Sequence, residues 1–153
     1  MKRIHLLVCL TTLACLGVKA QTSNKYDSVL AKKLNADPYG MKRYVLVMLK
    51  TGPASKTATK ALQDSIFKGH MKNIQQLSAE GKLVMAGPLS ENDKNYEGVF
   101  VFNSQSLDDT RKLLQTDPAV KSKLLDADLF VWYSSAAIME IPGIHEKIQK
   151  MSF

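Results

Sequence analysis

The sequence predicts an α+β domain of the ferredoxin-like kind, β-α-β-β-α-β, with two helices on one face of a four-stranded antiparallel sheet. Three observations carry this expectation. Four short segments, "RYVLVMLK", "KLVMAGPL", "GVFVFN" and "DLFVWYSSAAI", are rich in branched and aromatic residues, as strands are. Two longer segments space their apolar residues as helices do, and the two kinds of segment occur in that one order.

The elements follow one another from the N-terminus. "MKRIHLLVCLTTLACLGVKA" has a basic start at Lys2 and Arg3, an apolar run from Ile4 to Leu16, and small residues at its end. It reads as a secretory signal cleaved after Ala20, too short for comfortable permanent insertion in a bilayer. The competing reading, lipid attachment at Cys15, is disfavoured because "TLAC" has Thr where a lipoprotein signal has Leu. The mature protein is then secreted or periplasmic, with no stable membrane insertion.

Residues 21–42 form an N-terminal arm, helical through "NKYDSVLAKKLNA" and stopped by the turn "DPYG". The domain spans 43–137. Strand one covers 43–50, "TGPASKT" is a loop, and a helix runs from about Thr59 to Ala79, with Gly81 placed to end it. Strand two covers 82–89, with Gly87-Pro88 breaking it near its end. "SENDKNYEG" is a polar hairpin loop, and strand three covers 98–103. "SLDDTRKLLQTD" opens on a serine N-cap followed by acids that suit the positive end of a helix. Pro118 ends or restarts that helix, "AVKSKLL" continues helically, and strand four covers 128–138. Residues 138–153 form a tail that becomes helical after Pro142.

Strand four puts Leu129, Val131 and Tyr133 on one face and Phe130, Trp132 and Ser134 on the other. The helices can cover only one face. The other would carry Phe130, Trp132 and either Phe100 or Phe102, more apolar surface than water tolerates well. A homodimer with its sheets face to face is therefore expected.

Composition removes several function classes. The chain is 45% hydrophobic and 23% charged, as one globular domain is. Loss of the leader removes Lys2, Arg3 and Lys19 from a formal net charge of +7, and the remaining lysines are scattered. No nucleic-acid partner is expected, since "YEGVFVFN" lacks the Lys/Arg-Gly-aromatic start of an RNA-recognition strand. Both cysteines, Cys9 and Cys15, lie in the leader, so the mature chain forms no disulfide. Only His70 and His145 remain after cleavage, with no metal-ligand spacing, so no metal is expected. The "GxSxG" turn of a serine hydrolase is missing.

His70 is the residue that draws attention. On a helical wheel at about 100° per residue it falls inside the apolar arc of Leu62, Ile66, Ile74 and Leu77. It faces the sheet either as a core histidine bonded to a backbone carbonyl or as a functional imidazole.

"GHMKNIQQLSAEGKLVMAGPL", then "TDPAV", then "LFVWYSSAAI" resemble the YciI-related (YCII domain) family, of the dimeric α+β barrel superfamily, over about Arg43 to Ala137. The markers are a histidine eleven residues before the glycine that ends helix one, then "AGP", then "DP" after helix two. The resemblance implies a His–Asp active site, here His70 and Asp117. It also implies a chemistry like the dehydrochlorination of a small aromatic, the reaction assigned within that family. An aspartate before a proline also caps the following helix. Both roles are open to Asp117 if one carboxylate oxygen caps and the other faces His70.

Gly87 and Pro88 are candidate ligand contacts, or simply the end of a strand. Trp132 could stack on an aromatic ligand and Ser134 or Ser135 could bind its oxygen, or these residues could be core and interface. The functional expectation is a cofactor-free lyase, isomerase or hydrolase-type enzyme acting on a small molecule, aromatic compounds among the candidates, through His70 and Asp117. The alternative is a non-catalytic dimeric module that binds a small ligand.

Overall fold

A computed structural model describes residues 26–151. The expected leader, its expected cleavage after Ala20 and Cys15 lie outside these residues. Helix α1 (Ser28–Lys33) is capped by the Asp27 carboxylate, which accepts the Val29 and Leu30 N–H groups. Asn35 ends it in the left-handed region (φ 55), and the Ala36 N–H returns to Ala31 O. Strand β1 (Met41–Thr51) follows, longer at both ends than expected because β4 pairs with it along its whole length. The "TGPASKT" loop holds one 3-10 turn, Pro53–Lys56.

Helix α2 (Lys60–Ala79) starts on the Thr59 hydroxyl, and its first free carbonyls are closed by Gly81 (φ 66) and Lys82. Strands β2 (Leu83–Pro88) and β3 (Tyr96–Phe102) form a hairpin. Helix α3 (Leu107–Leu114) is capped by Ser106, and Pro118 opens a separate short helix, α4 (Pro118–Lys121). The expected helical continuation stops there: Lys123 turns left-handed (φ 63), and β4 (Leu125–Ser135) begins three residues earlier than the sequence suggests. A 3-10 turn (Ala136–Glu140) leads into α5 (Ile141–Ile148).

The sheet is antiparallel in the order β2-β3-β1-β4. This is the ferredoxin-like α+β fold. Cross-strand partners share a face, so the pairs Val47↔Phe100 and Val45↔Phe102 set both phenylalanines toward the helices. Val45, Val47, Leu49, Phe100 and Phe102 pack there against Leu77, Leu114 and Val120. The expectation of Phe100 or Phe102 on the opposite face is thereby corrected. "VFVF" is apolar at every position, so only its register against β1 decides the phase.

That opposite face carries Tyr44, Val84 and Val101, and the chain covers part of it itself. Ile138 and Met139, just beyond β4, pack on this cluster together with Leu46 and Trp132. The tail is pinned there: the Tyr44 hydroxyl donates to Ser135 O, Ala136 N–H to Gly40 O, and Lys33 pairs with Glu140.

Candidate functional site

His70 stands midway along α2, on the side that meets the sheet with Ile66, Ile74 and Leu77. It is 7% exposed. Its ring lies nearly parallel to Phe100 at 5.9 Å between centroids, and Phe67 meets it edge-on at 5.5 Å. Leu62, in the first turn, falls outside this packed arc and is half-exposed.

Asp117 reaches the imidazole from the short connection between α3 and α4. Proline at 118 favours an extended residue before it, and Asp117 has φ −79 and ψ 119. Its Oδ1 accepts the Ala119 N–H at 2.9 Å, capping α4, while Oδ2 lies 2.7 Å from His70 Nδ1. Asp117 is 1% exposed. One carboxylate thus caps a helix and holds the histidine at once. Asn73, one turn beyond His70, ties α2 to the same connection by donating to Thr116 Oγ1 at 2.9 Å.

Gly69 allows this meeting, although the apolar pattern does not single it out. A Cβ there would lie 2.9 Å from Cγ of Pro118, closer than real contacts permit. Without it, α2 settles against α4, and the neighbours of the touching residues, His70 and Asp117, come within bonding distance. The available signal is a glycine inside a helix, which costs about 1 kcal/mol relative to alanine.

An ionised carboxylate only accepts hydrogen bonds, so opposite one His70 presents Nδ1–H to Asp117, and in the neutral ring the lone pair is then at Nε2. Nε2 makes no hydrogen bond among the described residues. Every fully buried side-chain polar atom there has a partner, so Nε2 keeps some contact with solvent. The arrangement is a buried, oriented imidazole with one basic nitrogen available.

The other candidates lie elsewhere. Trp132 and Ser134 pair with Tyr44 and Lys42 on the sheet face opposite His70, and Trp132 packs into the cluster beneath the tail. Ser135 caps the following 3-10 turn through Ala137 N–H. Gly87 pairs with Val99 on the far face, and a side chain there would meet open space. The close approach in this hairpin belongs to Gly98, where a Cβ would lie 2.9 Å from Gly87 O. Pro88 pairs with Gly98 on the helix-side face. His145 lies in α5 and is exposed.

An open surface hollow of about 870 Å³ runs along the outer side of α2, lined by Asp64, Phe67, Lys68, Met71, Lys72 and Gln75, all from that one helix. Phe67 belongs both to this hollow and to the wall around His70. No three His, Cys, Asp or Glu side chains are grouped to hold a metal among the described residues.

Residues 43–132 match the YCII-related domain. No curated protein matches the chain. Among solved structures, the chain is similar to the 5-chloro-2-hydroxyhydroquinone dehydrochlorinase of Burkholderia phenoliruptrix AC1100 in its complex with 2,5-dihydroxybenzoquinone. The identity is 17%, the similarity covers 60% of this chain and 93% of that one, and the TM-score is 0.41.

Proposed function

The chain belongs to the YCII-related domain family, and from that premise we propose that His70 and Asp117 are the acid/base pair of a cofactor-independent enzyme acting on a small molecule. The observation that carries the reading is the 2.7 Å contact between Nδ1 and Oδ2, which orients the ring and leaves Nε2 to react. Nε2 takes a proton from a substrate C–H or O–H, Asp117 stabilises the resulting imidazolium, and the same nitrogen returns the proton to the product or leaving group. This sequence serves a lyase, an isomerase or a hydrolase-type reaction. The Phe67 and Phe100 rings make the surroundings flat and apolar, which suits an aromatic substrate.

A screen of small aromatic acids and phenols, read as turnover and as binding, tests the proposal. Turnover that disappears in His70→Ala and Asp117→Asn while ligand still binds supports the enzyme. Full turnover in both variants would refute it. The near-complete burial of His70 favours the second reading, a module that binds a small ligand without transforming it; binding with no turnover in the unaltered protein would select it.

Two further expectations belong to this proposal. A homodimer would form through the uncovered part of the sheet, where Phe130 is 50% and Met85 37% exposed. Secretion would follow cleavage after Ala20, which N-terminal sequencing of the exported protein checks directly.

A further inference from the structure

A second cavity, of about 550 Å³, lies where the N-terminal arm meets the sheet. Asn35 and Asp37 come from the arm, Met41, Lys42 and Arg43 from the start of β1, Tyr133 from β4, and Gln105 from the loop before α3. It is more open than enclosed, with Asn35, Arg43 and Gln105 exposed, so a ligand there would keep part of its surface in water. It is distinct from the His70 site: Arg43 lies at the start of β1, four residues before Val47, which pairs with Phe100 beside the imidazole.

The polar groups in this cavity divide into two sets. Asp37 is engaged. Its Oδ1 accepts the Tyr39 and Met41 N–H groups, and its Oδ2 accepts the Tyr133 hydroxyl. The Arg43 guanidinium, by contrast, makes no hydrogen bond or ion pair among the described residues, and the same holds for the side-chain amides of Asn35 and Gln105. Lys42 also borders the cavity; its ammonium lies 6.0 Å from the centre of the Tyr44 ring, so Arg43 is the cation whose fork is left to grip a ligand and Lys42 adds a second positive charge at the rim.

We infer that this cavity binds a small organic monocarboxylate, held by the Arg43 guanidinium and the amides of Asn35 and Gln105. The planar fork of a guanidinium matches a carboxylate with two parallel hydrogen bonds. A phosphate matches the fork as well, but it carries close to two negative charges and would meet the Asp37 carboxylate in the same cavity. A single charge satisfies Arg43 with less repulsion. Because arm residues form one wall, an occupied site also ties the arm to the sheet.

The test is an NMR titration of backbone amides with benzoate, its neutral analogue benzamide, and inorganic phosphate. Benzoate is expected to shift Met41, Arg43 and Gln105 saturably, with benzamide inert and phosphate weaker. Arg43→Gln should weaken benzoate at least about tenfold, as expected for loss of a charge-assisted bidentate contact. Gln105→Ala, in an exposed loop, should weaken it by a smaller factor and serves if Arg43→Gln folds poorly. His70→Ala should leave it unchanged, so that failure here is separable from failure of the acid/base proposal. Acetyl-alanyl-alanine compared with benzoate separates two sources: tighter dipeptide binding points to a peptide C-terminus, weaker binding to a free acid. Absence of saturable shifts, unchanged affinity in Arg43→Gln, or phosphate binding as tightly as benzoate would overturn the inference.

Discussion

Asp117→Asn isolates the double duty of one carboxylate. Aspartate offers two acceptors, one to Ala119 N–H and one to His70 Nδ1, both within a buried site. Asparagine has the same shape but one acceptor and one donor. Asparagine is a good N-cap, so its oxygen stays on Ala119 and its NH₂ faces Nδ1. The imidazole must then move its proton to Nε2 in order to accept at Nδ1. A charge-assisted bond of about 1.5–3 kcal/mol is exchanged for a neutral one of about 0.5–1.5, a net loss of roughly 1–2 kcal/mol. Asp117→Ala loses more: about 1 kcal/mol for the cap and about 1–3 for an unsatisfied Nδ1–H, roughly 2–4 in all. Urea denaturation at neutral pH measures both losses, and the nitrogen chemical shifts of His70 report its tautomer. The expected order of stability is wild type, then Asn, then Ala, with the proton on Nδ1 in wild type and on Nε2 in Asp117→Asn. Equal stability of the two variants, or Nδ1–H retained in Asp117→Asn, would sink the two-acceptor argument.

Other perturbations probe the framework around this pair. Gly69→Ala gains about 1 kcal/mol of helix propensity but drives a methyl against Pro118. A net loss of about 0–2 kcal/mol is expected, since rigid overpacking costs about 1–3, with the Nδ1-bound proton signal of His70 displaced; a gain in stability would mean that α4 yields freely. Tyr133→Phe tests the arm's attachment by its pH dependence. The Tyr133 hydroxyl first, and then the Met41 N–H, hold Asp37 below its ordinary 3.8, so this stabilisation is present above 3.8 and fades as pH falls through the lower folded value. The bond to Asp37 likewise raises Tyr133 above 10.0, and its contribution is lost as pH rises through that higher value. The stability difference between wild type and Tyr133→Phe should therefore be flat at intermediate pH and shrink at both extremes, as pH-dependent denaturation will show; a difference independent of pH contradicts the link. Truncation after Ser135 removes Ile138 and Met139 from the cluster of Tyr44, Val84 and Val101. Two partly buried side chains give a loss of roughly 2–4 kcal/mol, with increased binding of a hydrophobic dye, and an unchanged denaturation midpoint would show that the tail does not cover the sheet.

The strands, the two main helices and their order were legible in the amino-acid sequence because they rest on local signals. Thr59 and Ser106 supply side-chain caps, Gly81 takes a left-handed turn, and branched residues mark the strands. His70 was legible too, since helical periodicity alone places it among Ile66, Ile74 and Leu77. The pairing of His70 with Asp117 was available only as a resemblance, because no local rule connects positions 47 residues apart.

Tertiary structure decided what depends on register and close approach. A strand that is apolar at every position, "VFVF", has no phase of its own, so pairing with β1 turned Phe100 toward His70 and left Val101 on the far face. The same alternation carried Trp132 and Ser134 away from the imidazole. The contact of Gly69 with Pro118, and the folding of Ile138 and Met139 across the second face, join segments distant in the chain. Sequence periodicity determines which side of an element is apolar; which surface it meets, and which polar atoms are thereby brought within bonding distance, is settled only when the elements pack.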